Sequence, residues 1–378
     1  MIELPYGIAD YHRIRTRGMV YVDRTAHIRD VEALGDVLVF LRPRRFGKSL
    51  WLQTLANYYD VRRADEFDAL FGGLAAGQRP PADRYFVLQW NFSLVKPRGG
   101  VDEIAESLRR HVRSQAELFL LDYSGHLQAE IPSDAGASEV LTTLLGAVRQ
   151  TGHPLYLLID EYDNFVNEVM VKDVKTYKAL FEADGPYKEL FKAVKNATEG
   201  LGLERVFVTG VSPVALNDLT SGFDTATDVS LEPELAALCG FREREIRDVL
   251  ALVAEERGLS GAAIDETVDV LRTWYNGYRF SEDVDVQVYN PTNVLYFLDR
   301  LHRRGRPPKQ LHDANLRTDQ AKLAFPHSPR GDGSLESPLP VDPLRRSALC
   351  FTFGAGARQR LRRSLPVGPS GEPLSERL

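Results

Sequence analysis

Residues 36–59 read Asp36-Val37-Leu38-Val39-Phe40-Leu41-Arg42-Pro43-Arg44-Arg45-Phe46-Gly47-Lys48-Ser49-Leu50-Trp51-Leu52-Gln53-Thr54-Leu55-Ala56-Asn57-Tyr58-Tyr59. The first part is apolar at successive positions, which suits a strand covered on both faces of a parallel sheet. The last part places apolar residues at 51, 52, 55, 58 and 59, one face of a helix. A short loop ending in Gly47-Lys48-Ser49 joins them. Strand, loop and helix in that order are what a phosphate-binding loop needs, because the amides of the turn and of the helix start then point at one place.

The Walker A pattern G-x-x-x-x-G-K-[ST] is present in its last three positions, while Arg42 stands where its first glycine belongs. Gly47 lets an oxygen approach the backbone, Lys48 offers a point charge to the β and γ phosphates, and the Ser49 hydroxyl is a magnesium ligand. The three arginines of the loop carry charge that suits a triphosphate; a solvated basic turn is the plainer reading of each. Gly-Lys-Ser alone is a common tripeptide, and its place between strand and helix is what gives it weight. The expected nucleotide contacts are Arg44, Arg45, Phe46, Gly47, Lys48, Ser49 and Leu50, with Lys48 also assisting catalysis.

The matching half is Leu155-Tyr156-Leu157-Leu158-Ile159-Asp160-Glu161, an apolar strand ending in two carboxylates, the Walker B form. Asp160 is expected to complete a Mg²⁺ site with Ser49, and Glu161 to polarise the attacking water. Either half can arise by chance; two matched halves together point to ATP with Mg²⁺. The strand-like run at 85–90 falls between them, which belongs to the class of P-loop proteins with a glutamate after the Walker B aspartate. The next strand ends Thr209-Gly210-Val211-Ser212, so Thr209 or Ser212 is a candidate sensor for the γ-phosphate or the water. A Thr bonded to its own turn is an equal alternative.

Apolar runs at 85–90, 155–160 and 205–210 alternate with stretches such as 101–121 and 177–198, long and charged enough to be covering helices. The fold expected is α/β: a P-loop NTPase core with a mostly parallel sheet flanked by helices. Beyond residue 230 the pattern turns helical, clearest at 243–256 and 262–274, and predicts a smaller helical lobe. Trp274-Tyr275-Asn276-Gly277-Tyr278 reads as core and turn in preference to a base-stacking surface.

The chain has 378 residues and a formal net charge of −6. That charge is unevenly spread. From Arg303 onward 14 basic residues face 7 acidic ones and 10 of the 21 prolines occur, leaving the first 302 residues at 33 basic against 46 acidic. An acidic body argues against broad nucleic-acid coating, so any DNA or RNA contact is expected to be local. The longest apolar run, 249–254, is six residues, against roughly 20 for a membrane-spanning helix. The start has no basic and apolar leader, and Cys239 and Cys350 lack metal-ligand spacing, so no membrane, a cytoplasmic setting and neither zinc site nor disulfide framework are expected.

Taken in order, 4–10 (Leu-Pro-Tyr-Gly-Ile-Ala-Asp), 21–25 (Tyr-Val-Asp-Arg-Thr), 41–49, 159–163 (Ile-Asp-Glu-Tyr-Asp), 209–213, 219–223, 238–241, 274–280 and 288–292 resemble the bacterial AAA-ATPase-like family over about residues 1–325. The resemblance implies that Arg-Pro-Arg-Arg-Phe-Gly-Lys-Ser is the family's own form of the loop. It also implies an ATPase core with a helical extension, often followed by a PD-(D/E)XK nuclease-like domain. The tail contains no [DE]-x-K, and the body's one instance, Asp173-Val174-Lys175, reads as surface helix.

The expected organisation is an ATPase core at 1–230, a helical lid at 231–302, a linker remnant at 303–325 and a disordered tail at 326–378, the ending of a truncated or frameshifted chain. The function expected is ATP hydrolysis coupled to a conformational change for a protein partner, an effector domain or a second copy of the chain. The rival is a nucleotide-gated module with negligible hydrolysis, against which Glu161 argues. Arg44 and Arg45 lie in cis at the loop; Arg205 and Arg242 are finger candidates only if the fold brings them in.

Overall fold

A computed structural model describes residues 1–311 apart from Ala183, Thr220 and Ser221. The expectations for the tail, for most of the linker, for Cys350 and for part of the 219–223 motif lie outside the described residues.

Five strands, β1 (Val37–Leu41), β2 (Phe86–Asn91), β3 (Leu155–Asp160), β4 (Leu203–Gly210) and β5 (Thr227–Asp228), form one sheet in the order β2-β3-β4-β1-β5. Every pairing is parallel. Parallel neighbours need crossovers, and the helices that make them cover the sheet, which is why β3 is buried at all six positions. The decisive feature is β4 between β1 and β3. Leu41 pairs with Gly210 and Ile159 with Val208, so the phosphate loop, the paired carboxylates and Thr209 emerge at the same edge.

The helix after the loop spans Lys48–Tyr59, and the long covering helix Val101–Asp122. The stretch at 177–198 is covered by two helices, Val174–Phe181 and Pro186–Ala197. Gly185 and Pro186 make the break. A Cβ on Gly185 would lie 2.4 Å from the Ala179 carbonyl oxygen, and proline, lacking an N–H, is suited to the first helical position. Asp173 caps Val174–Phe181 and is exposed, so Asp173-Val174-Lys175 does open a surface helix.

Helices Glu243–Arg257, Gly261–Tyr275 and Pro291–Arg304 form the helical lobe around Ile246, Leu250, Val268, Leu271, Val294 and Phe297. The third lies beyond the two expected helices; Asn290 caps it, Pro291 starts it and Gly305 ends it at φ 65. Leu4 is buried in the same cluster, with Ile2, Val20 and Val22 against it. The N-terminal segment therefore packs on the lobe, far away in sequence. Tyr275 and Tyr278 are buried and Gly277 turns at φ 101, as core and turn require, whereas Trp274 is 48% exposed. Among the described residues no helix is long and apolar enough to cross a membrane.

Candidate active site

The loop after β1 is wound by two left-handed residues, Gly47 at φ 96 and Arg45 at φ 62. The first helical bond runs from the Trp51 N–H to the Gly47 carbonyl, so the amides just before it have no acceptor within the helix. Lys48 is buried and its ammonium donates to the carbonyls of Arg42 at 2.9 Å and Pro43 at 3.1 Å. Burial lowers its pKa, and Asp160 opposes that shift.

Arg42 does not face the loop's cavity, contrary to the expectation that all three loop arginines serve a triphosphate. It is fully buried and donates to the carbonyls of Leu41 at 2.8 Å, Ser230 at 2.6 Å and Leu235 at 2.9 Å. Its guanidinium lies between the rings of Phe40 and Phe280, 4.2 and 4.1 Å from their centroids. Desolvation pushes its pKa down to about 10. A buried cation persists where carbonyl dipoles and ring faces replace water. In place of the missing glycine the chain therefore has a peg fastening the root of the loop to the segment after β5.

Two more contacts hold the loop. The buried Phe46 ring meets Tyr278 edge-on at 4.7 Å and Phe280 at 5.4 Å, so its ring is committed to packing and its main chain remains for a ligand. The Thr292 hydroxyl donates to the Arg45 carbonyl at 2.8 Å. Tyr278, Phe280 and Thr292 all belong to the part of the chain after residue 270.

The turn after β3 is built differently. The Ser49 hydroxyl donates to Asp160 Oδ2 at 2.6 Å, across 111 residues of sequence. Asp160 Oδ1 accepts from the buried Thr209 hydroxyl at 2.7 Å and from the Glu161 N–H at 3.0 Å. Thr209 thus reaches Asp160 and not its own turn, while the Ser212 hydroxyl accepts from the Val214 N–H at 3.3 Å. Glu161 stands at φ 51, and Asn164 Nδ2 donates to its Oε2 at 2.6 Å. Burial raises the Glu161 pKa, as does Asp160, against Lys48 and Arg44.

Beneath the turn, buried Asp163 accepts from the N–H groups of Val211 at 3.1 Å and Ser212 at 2.7 Å and from Asn167 Nδ2 at 2.8 Å. The Tyr162 hydroxyl donates to the Ser212 carbonyl, and the Tyr187 hydroxyl to the Tyr162 carbonyl, both at 2.5 Å. Gly210 makes room for this packing: a Cβ there would lie 2.4 Å from the Tyr162 ring and 2.6 Å from Asp163 Oδ1.

A cavity of about 360 Å³ opens beside the loop. Arg44, Arg45, Phe46, Gly47, Lys48, Ser49, Leu50 and Glu161 all line it; its apolar wall comes from the N-terminal segment (Ile8, Tyr21, Val22) and the lobe (Phe241, Val294, Leu298). Asp160 and Thr209 stand behind that lining. Arg205 sits near the start of β4, bonded to Tyr85 and paired with Asp36 at 3.3 Å, and exposed Arg242 precedes helix Glu243–Arg257; neither lines the cavity.

The donors fit a hard divalent cation, since Ser49 and Asp160 bring a hydroxyl and a carboxylate oxygen within 2.6 Å of each other. Among the described residues no three His, Cys, Asp or Glu side chains gather as a metal site.

Asp163, Asn164 and Thr292 have no expected role in the site from the sequence; Asp163 and Thr292 fall within the stretches 159–163 and 288–292 that carry the resemblance, and Asn164 has no local pattern that singles it out.

The fold and the site define a P-loop nucleotide-binding protein in which one strand separates the phosphate-loop strand from the carboxylate strand. Residues 5–220 match the family described as predicted AAA-ATPase, AAA-ATPase-like, and the chain belongs to that family. A protein of Azotobacter chroococcum mcd 1, described as an uncharacterized protein in the vnfD 5' region, is 29% identical over 309 residues. The match covers 81% of this chain and 53% of that protein, so the chain spans about half the length of the curated relative. Among solved structures, the Aeropyrum pernix ORC1 protein in complex with DNA is similar at a TM-score of 0.33 and 11% identity, covering 85% of this chain and 66% of that one. Cdc6p from Pyrobaculum aerophilum is similar at 0.35 and 11% identity, covering 78% and 66%.

Proposed function

We propose that the chain binds ATP with Mg²⁺ in the cavity beside the loop and hydrolyses it. The observation that carries this reading is the Ser49–Asp160 contact of 2.6 Å, which joins the two half-motifs at one point. The main chain of residues 46–50 and the side chains of Arg44, Arg45 and Lys48 would hold the phosphates, with the nucleoside against the apolar wall. Ser49 and Asp160 would be the protein ligands of Mg²⁺, whose charge would offset that developing on the phosphates. Glu161 would orient and polarise the attacking water, and Thr209 would fix Asp160.

We also read residues 1–230 as the ATPase core and 231–302 as its lid. Phe46 against Tyr278 and Phe280, and Thr292 on the Arg45 carbonyl, support coupling between them, because a loop that shifts on nucleotide binding must disturb both contacts. The lid would then report the nucleotide state to a partner.

Phosphate release and nucleotide binding, measured on the wild type, Lys48→Ala and Glu161→Gln, test the reading. Lys48→Ala should lose binding, and Glu161→Gln should bind ATP but scarcely turn it over. Binding without turnover in the wild type would make the protein a nucleotide-gated switch. Wild-type hydrolysis by both variants would move the site elsewhere.

A further inference from the structure

We propose that Asn164 is a positioning residue for Glu161, a role that rests on reading Glu161 as the group that activates water. Two bonds join them. Asn164 Nδ2 donates to Glu161 Oε2 at 2.6 Å, and the Asn164 N–H donates to the Glu161 carbonyl at 3.0 Å.

Glu161 needs such a hold. Its φ of 51 is a left-handed conformation that is unfavourable for a residue with a Cβ, so neighbouring contacts must maintain it. Its side chain also has three rotatable bonds, which would spread the carboxylate over several positions at the cavity edge. Asn164 addresses both, one bond going to the main chain and one to the carboxylate.

The support itself is fixed. Asn164 opens helix Asn164–Lys172, and the residue before it, Asp163, is anchored by the N–H groups of Val211 and Ser212 and by Asn167. The amide is thus tied through Asp163 to the segment following β4. With Oε2 engaged, Oε1 is the oxygen left to take the proton of the water.

The residue type fits the task. An aspartate here would repel Glu161 and Asp160 and could not donate, and a lysine would pair with Glu161 and blunt it as a base. A neutral donor orients the carboxylate without adding charge beside the phosphates.

The test uses the full chain: steady-state hydrolysis, affinity for a non-hydrolysable ATP analogue, and thermal unfolding of the wild type, Asn164→Ala, Asn164→Asp, Glu161→Gln and the double variant Asn164→Ala/Glu161→Gln. Asn164→Ala should lower kcat about 10- to 100-fold while analogue affinity stays within about twofold. Asn164→Asp keeps the shape of the side chain and guards against a folding artefact; it should lose at least as much. The double variant should be no slower than Glu161→Gln alone, because a positioning residue has nothing to contribute once its target is gone.

Wild-type kcat in Asn164→Ala overturns the proposal if Glu161→Gln is inactive. A kcat above wild type overturns it as well, because the bond would then restrain Glu161. Parallel loss of analogue affinity or of the folded state in both single variants reduces Asn164 to a structural residue. If Glu161→Gln itself turns over normally, the reading of Glu161 fails first and this proposal with it.

Discussion

The loop after β1 and the turn after β3 meet at one hydrogen bond, Ser49 to Asp160, yet they are held by different parts of the molecule. The loop's supports are remote in sequence: Arg42 bonds Ser230 188 residues away and Leu235 193 away, and the Arg45 carbonyl takes Thr292 from 247 away. The turn's supports lie nearer, with Tyr162 and Ser212 50 residues apart and Tyr187 25 from Tyr162. The turn rests on the sheet core, while the loop's shape depends on the lobe. Damage to the lobe should therefore reach nucleotide binding first, and damage under the turn should reach turnover first.

The most severe break is expected at Phe46. Removing a buried ring leaves a cavity, so Phe46→Ala should destabilise the protein by about 3–5 kcal/mol in denaturant unfolding. In the protein that remains folded, analogue affinity should fall while kcat at saturating ATP changes little. An unchanged affinity would show that the loop keeps its shape without the lobe.

Gly210→Ala strikes the other side. Its methyl group would press on the Tyr162 ring and Asp163 Oδ1, and overpacking of that kind costs about 1–3 kcal/mol. Here kcat should drop and analogue affinity hold. If affinity fell as far as in Phe46→Ala, the two halves would be one mechanical unit.

The smallest effect belongs to Glu243, which starts a lobe helix and does not line the cavity. It accepts from Arg272 at 2.7 and 2.9 Å and from the Tyr289 hydroxyl at 2.8 Å, and these hydrogen bonds, Arg272 first, hold its pKa down at about 2. A carboxyl with a depressed folded pKa stabilises above its unfolded value, near 4.3, and loses that contribution as pH falls toward 2. Since Glu243 is about a third exposed, Glu243→Gln should cost only about 1 kcal/mol at pH 7. The difference from wild type in urea unfolding should shrink between pH 4 and 2, with analogue affinity at pH 7 unaltered. A gap that persisted at pH 2 would remove the carboxylate as its cause.

Much of the fold is legible in the sequence. The apolar run at 37–41 pairs on both sides, and the helix after Gly47 forms where the 51, 52, 55, 58, 59 spacing predicts. The run at 155–160 is β3 residue for residue. These features are legible because they depend on local periodicity and on the backbone needs of a turn. The stretch at 177–198 is helical as its length and charge suggest, but its division at Gly185 is set by the carbonyl of Ala179 in the preceding helix, which obstructs a side chain there, and by Pro186.

The sequence by itself determined which groups stand at the sheet edge, a lysine, a hydroxyl and two carboxylates, because their places follow from the ends of two apolar strands and the start of one helix. Only the tertiary structure decided what the remaining residues do. Arg42 resembled another phosphate contact until burial between Phe40 and Phe280 turned it into a peg, and Asn164 had no reading until φ 51 at Glu161 brought its amide to the carboxylate. The physical reason is the same in both cases: a side chain's role depends on whether water or protein meets it, and for residues paired across the fold that is settled by packing and not by sequence neighbours.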